Sequence, residues 1–247
     1  MKLIIDIGNT RVKAGLFEQN ELVHSFVFES ADALLQSDLF SDYSITHCIA
    51  ASVVNNIESF ISRLKEQAAV FVFTNETPVP IKNLYKSADT LGGDRLAGAA
   101  GANFLFPDKN ILVIDAGTCI KYNFVNSRNE YIGGAISPGL RMRFKALHTF
   151  TSRLPLLELD EKFDELIGRD TVENILSGVE LGAITEMQGF IEHYKLLYPD
   201  IYIFLTGGDA DFFEKRLKKP IFADSFLILK GLNVILDYLL ISNKNQE

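Results

Sequence analysis

Residues 3–8 read Leu-Ile-Ile-Asp-Ile-Gly, and residues 112–117 read Leu-Val-Ile-Asp-Ala-Gly. Each stretch is a short apolar run of strand-forming residues that ends in Asp-x-Gly, and strand-like residues resume shortly afterwards. Each copy therefore predicts a β-hairpin whose turn lies at the glycine and the threonine that follows it. Two similar hairpins in one chain indicate a duplication, although two apolar strands can also resemble each other by chance.

A second pair of segments repeats in the same order. Residues 45–51 form a strand pattern followed by a helical pattern over 55–67. Residues 201–206 form another strand pattern, which ends in Gly207-Gly208 and precedes a helical pattern over 209–217. The repeated order predicts an α/β protein made of two duplicated domains, 1–108 and 109–247, with a cleft between them.

In the rest of the chain, segments with the hydrophobic period of a strand alternate with segments that have the period of a helix. Asp170 is a plausible N-cap for the longest predicted helix. The predicted strands are 22–28, 69–73 and 130–137, and the predicted helices are 30–39, 94–106, 139–147, 171–197 and 225–240.

Composition excludes several classes of protein. The 247 residues are 47% hydrophobic and 23% charged, which is typical of a globular protein. Asp and Glu outnumber Lys and Arg by 32 to 24, and the net charge of −8 disfavours nucleic-acid binding. Two cysteines in apolar runs fit a reducing compartment. With no signal peptide and no long apolar run, the sequence predicts a cytoplasmic protein that does not span a membrane.

Common catalytic signatures do not occur. The sequence contains no G-x-x-x-x-G-K-[ST] loop, no G-x-G-x-x-G after a strand, no G-x-S-x-G and no H-E-x-x-H. The two Asp-x-Gly turns remain. A carboxylate that follows a buried strand either meets a cation or orients its turn, and glycine lets a ligand approach the backbone. Asp6 and Asp115, with the hydroxyls of Thr10 and Thr118, suit a polyphosphate with Mg²⁺. For one copy alone, a carboxylate that merely stabilises the turn is the better explanation, whereas two copies at equivalent places favour the phosphate site.

The first turn continues as Asp6-Ile7-Gly8-Asn9-Thr10-Arg11-Val12-Lys13, which resembles the D-x-G-N-T-x-x-K signature of type III pantothenate kinases. Further segments are similar to the family's motifs and occur in its order: Leu91–Arg95, Asp115–Thr118, Gly133–Leu140, Leu154-Pro155, Asn174-Ile175, Ser177-Gly178 and Thr206–Gly208. The resemblance implies the fold of acetate and sugar kinases, Hsp70 and actin, with duplicated ribonuclease H-like (actin-like ATPase) domains. It implies ATP-dependent phosphorylation of the primary alcohol of pantothenate, the first step of coenzyme A biosynthesis.

The resemblance also implies a set of ATP contacts. Backbone amides from Gly8 to Thr10 and the Lys13 cation suit the phosphates, although Lys13 could be an ordinary surface lysine. Asp6 is expected to hold Mg²⁺ through water, since Mg²⁺ gives up its waters reluctantly. Gly207 and Gly208 would leave room for adenosine, or simply begin a helix. The implied ATP-binding residues are Asp6, Ile7, Gly8, Asn9, Thr10, Arg11, Val12, Lys13 and Thr118.

Asp94 is the implied general base, because an aligned carboxylate can accept the proton of a primary alcohol as the γ-phosphoryl group transfers. Its position at the start of a predicted helix leaves an N-cap as the alternative. Arg95 suits the carboxylate of pantothenate. The implied substrate-binding residues are Tyr85, Gly92, Gly93, Asp94, Arg95 and Thr171, and Thr171 would reach the site of a second subunit in a homodimer.

Asp115 matches the family's ligand for a monovalent cation, K⁺ or NH₄⁺. The second motif departs from the family pattern at two places nearby. Asn123 stands where the family often has Asp, and Lys121 stands where a small or hydroxyl residue is common. If the Asp that the family often has at this position binds a cation, Asn123 weakens that cation site.

Two other functions remain open at this point. A different small-molecule kinase on the same fold, such as a sugar kinase, would use the same phosphate motifs. A regulatory or accessory protein would have lost catalytic residues, yet Asp6, Lys13, Asp94 and Asp115 are all present.

Overall fold

The computed structural model describes residues 1–8, 10–52, 54, 57–217 and 221–244. They pack into two compact units. Unit 1 takes its described residues from Met1–Asp108, Arg128–Ile132 and Phe226–Glu247, and unit 2 takes them from Lys109–Ser127 and Gly133–Ser225. The last segment thus packs in unit 1. The predicted domains, 1–108 and 109–247, are the two copies of a duplication along the sequence, and they need not coincide with the compact units. The bounds of these domains remain a prediction.

Unit 1 is built on a five-stranded sheet of order β3-β2-β1-β4-β5. Its strands are β1 (Lys2–Ile7), β2 (Val12–Glu18), β3 (Glu21–Phe28), β4 (His47–Ser52) and β5 (Ala69–Val72). The first three strands pair antiparallel, whereas β4 pairs parallel with β1 and β5 pairs parallel with β4. Its described helices are α1 (Ala31–Leu35), α2 (Leu39–Asp42), α3 (Glu58–Lys65), α4 (Gly93–Leu105) and α9 (Leu227–Lys244), with a 3₁₀ turn at Ala88–Thr90.

The central strand β1 is covered on both faces. Leu3, Ile5 and Ile7 belong to a core that also contains buried residues of α1 and α3. Successive strand residues point to opposite faces, so Lys2 and Asp6 lie on the other face. There the Lys2 ammonium contacts the Asp237 carboxylate of α9 at 2.6 Å. The alternation leaves Asp6 at the end of the strand, on the face away from the core of Leu3, Ile5 and Ile7.

Unit 2 contains the second sheet. Its strands are β7 (Ile111–Ala116), β8 (Cys119–Val125), β9 (Glu130–Pro138), β10 (Tyr202–Thr206) and β11 (Phe222–Ala223). Its described helices are α5 (Leu140–Thr149), α6 (Thr171–Leu176), α7 (Gly182–Leu197) and α8 (Ala210–Glu214), and a π-helical segment, Ser177–Leu181, joins α6 to α7. Strand β9 begins in unit 1, where Glu130 and Tyr131 pair with the short strand β6 (Lys82–Asn83). None of the described helices is long and apolar enough to cross a membrane.

The two sheets share one topology. The first sheet has the order β3-β2-β1-β4-β5, and the second has the order β9-β8-β7-β10-β11 with the short strand β6 added beyond β9 as a sixth strand. In each, an antiparallel hairpin comes first, and the later strand lies parallel to the first strand of that hairpin. The predicted duplication of an α/β fold is confirmed, as are both predicted hairpins.

Several predicted elements differ in detail. The helix predicted over 30–39 is two short helices, α1 and α2, and the helix predicted over 209–217 is limited to α8. The helix predicted over 55–67 begins at Glu58, and Asn55 and Asn56 lie outside the described residues. Asp170 is confirmed as an N-cap, because its Oδ1 accepts a hydrogen bond from the Glu173 amide at 2.9 Å. Strands β6 and β11 were not predicted, since two residues are too few to show a period.

Two glycines allow α4 and α9 to pack backbone against backbone. A Cβ atom on Gly231 of α9 would lie 1.8 Å from the carbonyl oxygen of Ala97 in α4. A Cβ atom on Gly101 of α4 would lie 2.8 Å from the carbonyl oxygen of Leu227. No side chain fits at this crossing, and the close approach determines how α4 lies in unit 1.

Replacing Gly231 with alanine should therefore destabilise the protein by about 3 kcal/mol or more, because the new methyl group overlaps a backbone oxygen. Thermal unfolding should show a loss of roughly 6 °C or more. Gly189 in α7 is the control, since a Cβ atom there has no neighbour within 4 Å. Gly189→Ala should leave the melting temperature unchanged or raise it slightly. Equal melting temperatures for the natural protein and Gly231→Ala would contradict the close packing of α4 and α9.

A buried carboxylate lies in the π-helical segment of unit 2. Glu180 is fully buried, and its Oε1 accepts a hydrogen bond from the Asp160 amide at 2.8 Å. Its Oε2 has no hydrogen-bond partner among the described residues. Burial raises the pKa of Glu180, while the Asp160 amide and the Arg216 cation oppose that rise. The charged form of Glu180 therefore lowers the stability of the folded protein.

We expect Glu180→Gln to raise the melting temperature at pH 7.5, by roughly 2–4 °C for each kcal/mol gained. The pKa of Glu180 in the folded protein is above its unfolded value of about 4.3. The natural protein therefore loses stability as pH rises from the unfolded pKa through the folded pKa, and the glutamine variant, which does not titrate, keeps its stability there. The difference should shrink as pH falls toward 4. Melting curves from pH 4 to 8 test this, with the exposed Glu192→Gln on α7 as the control. A difference that stays constant across this pH range would be inconsistent with a buried titrating carboxylate.

Candidate active site

The first hairpin places the predicted phosphate motif at the end of β1 and the start of β2. Asp6 lies directly opposite Lys13 in the antiparallel register, and Ile7 lies opposite Val12. Because side chains alternate across a strand, Asp6 and Lys13 share one face and the two apolar residues share the other. Ile7 and Val12 are buried in the core of unit 1. Their side chains pack, so any contact of theirs with a ligand is through the backbone.

One backbone amide of the turn has a partner within the turn. The Gly8 amide donates a hydrogen bond to the Arg11 carbonyl at 3.1 Å and so closes the turn. Thr10 and Arg11 are exposed, and Asp6, Gly8 and Lys13 are half-buried. Asn9 lies outside the described residues. The charged and hydroxyl side chains of the motif, rather than the Gly8 amide, are the groups that face solvent.

The second hairpin repeats this arrangement with a closer contact. Asp115 of β7 lies directly opposite Lys121 of β8. The Lys121 ammonium donates to Asp115 Oδ2 at 2.7 Å, and the two side chains are only 20% and 12% exposed. Thr118 is exposed at the turn, and its carbonyl oxygen accepts the Gly139 amide at 3.1 Å, which ties the turn to the start of α5. The predicted cation ligand is thus already ion-paired.

A third strand of unit 2 encloses the same carboxylate. Thr206 of β10 lies opposite Asp115, and its buried Oγ1 has no hydrogen-bond partner in the described part of the chain. The next residue, Gly207, has φ +100°. A Cβ atom on Gly207 would lie 2.6 Å from Asp115 Oδ1 and 2.2 Å from the Ala116 carbonyl oxygen. Gly207 is therefore required here by its backbone conformation and by the carboxylate beside it.

Asp209 is a second buried carboxylate at this strand end, and no motif in the sequence pointed to it. It is 5% exposed, and its amide donates to the Ala116 carbonyl at 2.9 Å. Its Oδ1 accepts from Arg141 Nη1 at 3.0 Å. Burial raises the pKa of Asp209, the Arg141 guanidinium opposes this, and the negative charge of Asp115 adds to it. Asp115 and Asp209 therefore interact through their charges, and each has its own cation.

The segment 133–140, predicted as a motif, is held by a polar network in unit 2. The Ser137 hydroxyl donates to Glu186 Oε1 at 2.5 Å, and Arg143 Nη2 donates to Glu186 Oε2 at 2.6 Å. Gly134 has φ +156°, and a Cβ atom there would lie 1.8 Å from the Tyr122 carbonyl oxygen. The network and the glycine hold this stretch of β9 against β8.

The predicted substrate residues of unit 1 gather at the start of α4. The N-cap of this helix is Gly92, with no side-chain cap, so the N-cap alternative for Asp94 is wrong. Asp94 lies in the first turn, where the positive end of the helix dipole stabilises a carboxylate. Its Oδ1 accepts the Arg95 amide at 2.9 Å. A Cβ atom on Gly92 would lie 2.6 Å from the same oxygen, so glycine makes room for this carboxylate.

Arg95 and Tyr85, both predicted to bind the substrate, are in contact. Arg95 is buried at 6% exposure, and its Cζ lies 5.5 Å from the centroid of the Tyr85 ring. The Tyr85 ring centroid lies 6.1 Å from that of the fully buried Tyr131, to which no sequence motif pointed. A buried cation stacked on an aromatic ring is oriented before any ligand arrives. Gly93, also predicted here, packs beside Phe73.

Other predicted site residues lie elsewhere in unit 2. Thr171 is exposed as the first residue of α6. Asn123, the departure from the family pattern, is 1% exposed in β8, opposite Val113. Within the described residues, no three His, Cys, Asp or Glu side chains gather in a group that could hold a metal ion.

Comparison with solved structures concerns the fold. The protein is similar to a conserved protein of Campylobacter jejuni, provisionally named a Baf family transcriptional activator, with a TM-score of 0.65, 20% identity, and 97% and 99% of the two chains covered. It is also similar to the activator of the 2-hydroxyisocaproyl-CoA dehydratase from Clostridium difficile with bound ADPNP. There the TM-score is 0.55 and the identity 13%, over 99% and 96% of the two chains. At these identities the likeness supports the duplicated fold alone.

Comparison of sequences is more specific. The sequence model of the family described as type III pantothenate kinase matches residues 2–193. The type III pantothenate kinase of Bacteroides fragilis is 46% identical over 240 residues, which covers 96% of this chain and 98% of the relative. That of Flavobacterium johnsoniae is 44% identical over 241 residues, again covering 96% and 98%. With matched motifs on both hairpins and at the start of α4, the chain belongs to the type III pantothenate kinase family.

Proposed function

We propose that the protein transfers the γ-phosphoryl group of ATP to the primary hydroxyl of pantothenate, giving ADP and 4′-phosphopantothenate, the first committed intermediate toward coenzyme A. The observation that carries this proposal is the pairing of Asp94 with Arg95 at the start of α4. One residue offers a carboxylate held by a backbone amide, and the next offers a buried, oriented guanidinium. Pantothenate carries the matching groups, an alcohol and a carboxylate.

Asp94 is proposed as the general base. As the hydroxyl oxygen of pantothenate forms its bond to the γ-phosphorus and the bond to the β-phosphate oxygen breaks, the Asp94 carboxylate accepts the hydroxyl proton. Arg95 is proposed to bind the carboxylate of pantothenate, for which guanidinium geometry is suited. Tyr85 orients Arg95, and Gly92 and Gly93 keep side chains away from the same helix start.

The phosphate contacts are proposed for the two hairpin turns. Lys13 carries a charge that suits a phosphate, and the hydroxyls of Thr10 and Thr118 are exposed. Asp6, half-buried at the end of β1, fits Mg²⁺ through water, because Mg²⁺ in nucleotide sites is bound mainly by phosphates and waters with one or two carboxylates. Mg²⁺ would neutralise charge on the phosphates. Arg11 is exposed and adds a further positive charge beside this turn.

We do not propose a sugar-type kinase, since the named relatives cover 96% of the chain. A cytoplasmic location is proposed with the function, because Cys48 and Cys119 are both free thiols, as expected in a reducing compartment. Burial raises the pKa of Cys48 to about 12, so this thiol packs as a small apolar residue.

A homodimer is proposed as well. Exposed apolar side chains are frequent in unit 2 between residues 150 and 197: Phe150 (86%), Leu166 (75%), Ile167 (78%), Leu196 (81%) and Leu197 (72%). Exposed apolar side chains of this size favour burial in an interface. Ile167 precedes Thr171, the predicted cross-subunit substrate contact, by four residues.

The first test is ADP release coupled to pantothenate, with Asp94→Asn compared to the natural protein. The amide retains the size of the carboxylate but cannot accept the proton, so kcat should fall roughly 10²- to 10⁴-fold. ATP affinity should stay unchanged. Asp89→Asn is the matched control, because Asp89 is exposed in the preceding 3₁₀ turn, and it should keep full activity. If the Asp94→Asn variant is fully active, Asp94 is not the general base, although the protein can still be a kinase. If the natural protein does not phosphorylate pantothenate, the proposed function is wrong.

The second test is the oligomeric state. The natural protein should have the mass of a dimer by light scattering, and Ile167→Glu should shift it toward the monomer because a charge is costly in an apolar interface. Turnover should fall with dissociation. Val27→Glu in β3 of unit 1, at a residue that is 58% exposed, should remain a dimer. A monomeric natural protein argues against the dimer itself, and a dimeric Ile167→Glu variant argues against this surface.

A further inference from the structure

The ion pair of Asp115 and Lys121 occupies the position that the family resemblance gives to a monovalent cation. The two residues face each other across β7 and β8, with 2.7 Å between Lys121 Nζ and Asp115 Oδ2. Both side chains are largely buried, at 20% and 12% exposure. A carboxylate and an ammonium held at this depth and distance form a strong charge-assisted hydrogen bond.

A second acid–cation pair of unit 2 lies beside this one. Asp209, which interacts with Asp115 through its charge, is paired with Arg141 at 3.0 Å. Among the described side chains of unit 2, each of the two carboxylates, Asp115 and Asp209, therefore has a cation in contact with it. The other oxygen of Asp115, Oδ1, faces Gly207, where a Cβ atom would lie 2.6 Å away.

A K⁺ or NH₄⁺ ion does not fit this arrangement. To bind Asp115 it would share the carboxylate with an ammonium group that is already 2.7 Å away, and two like charges at such separations repel strongly in a partly buried site. The ion pair with Lys121 therefore makes Asp115 unsuitable as a ligand for K⁺ or NH₄⁺.

We propose that the Lys121 ammonium takes the place of the monovalent cation, so that phosphoryl transfer by this protein does not depend on K⁺ or NH₄⁺. Lys121 carries the same single charge as the ion and delivers it to the same carboxylate. Because it is attached to the adjacent strand, the charge is present without a binding equilibrium. Lys121 acts as a positioning residue, since it contacts Asp115 and not the reacting atoms.

The inference rests on the proposed function for its rate measurements and not for its melting measurements. Pantothenate-dependent turnover is measured with Mg²⁺ in chloride salts of K⁺, NH₄⁺, Na⁺ and tetramethylammonium at equal ionic strength. The natural protein should show rates within about twofold in all four salts. A rise of about tenfold or more in K⁺ or NH₄⁺ over tetramethylammonium would overturn the proposal, and this comparison needs no variant.

The variant Lys121→Ser restores the kind of small hydroxyl residue that is common in the family. In tetramethylammonium its turnover should fall roughly tenfold or more, because Asp115 is left without a positive charge. K⁺ should restore most of that loss and should raise the melting temperature of the variant, but not of the natural protein. The double variant Asp115→Asn with Lys121→Ser should show neither response, since its ligand is gone.

Lys109→Ser is the matched control. Lys109 is exposed before β7, six residues from Asp115, and so lies about 20 Å away along the strand direction. This variant should show the salt response of the natural protein. Two outcomes for Lys121→Ser contradict the proposal: no response to K⁺ in rate or melting temperature, or a response that persists in the double variant.

Failure of the proposed function is distinguishable from failure of this inference. If the natural protein does not phosphorylate pantothenate in any salt, the proposed function fails and the melting measurements alone decide. A rise in melting temperature with K⁺ in Lys121→Ser, absent from the natural protein and from the double variant, would still support Lys121 as the substitute cation. The absence of that rise would overturn it.

Discussion

Burying carboxylates at the ends of apolar strands is the constraint on which the candidate site depends. A charged side chain in this position must meet an opposite charge, a hydrogen-bond donor or water, because desolvation without a partner is costly. In unit 2 the partners are Lys121 for Asp115 and Arg141 for Asp209. In unit 1 the hairpin register sets Lys13 opposite Asp6. Each hairpin thus brings an acid and a base to one strand end, where a polyphosphate and its cations can be held.

The helix packing of unit 1 gives the proposed base a rigid support. Gly101 and Gly231 let α4 and α9 approach so closely that no side chain separates their backbones. The first turn of α4 then carries Asp94 and the buried Arg95 as part of a packed helix rather than a loop. Groups on such a helix keep their geometry better than groups on a loop, which a proton transfer between aligned atoms requires.

The sequence was sufficient where the information is local. The hairpins followed from apolar runs ended by Asp-x-Gly, and the Asp170 cap from its position before a helical period. The pairing of Lys121 with Asp115 could also have been derived, because a hairpin that turns at Gly117 and Thr118 places residue 121 opposite residue 115. What could not be derived depends on distant contacts: the pairing of Asp209 with Arg141, and the crossing of α4 with α9, whose residues lie more than a hundred positions apart.

The two departures from the family pattern lie on one strand and are physically related. Lys121 and Asn123 are two residues apart in β8, so they lie on the same face. One places a positive charge beside Asp115, and the other replaces an acid that is frequent in the family with a neutral amide that is 1% exposed. A lysine supplies one positive charge and cannot supply a second. The neutral amide of Asn123 adds no second buried negative charge to the face of the strand on which Lys121 already pairs with Asp115.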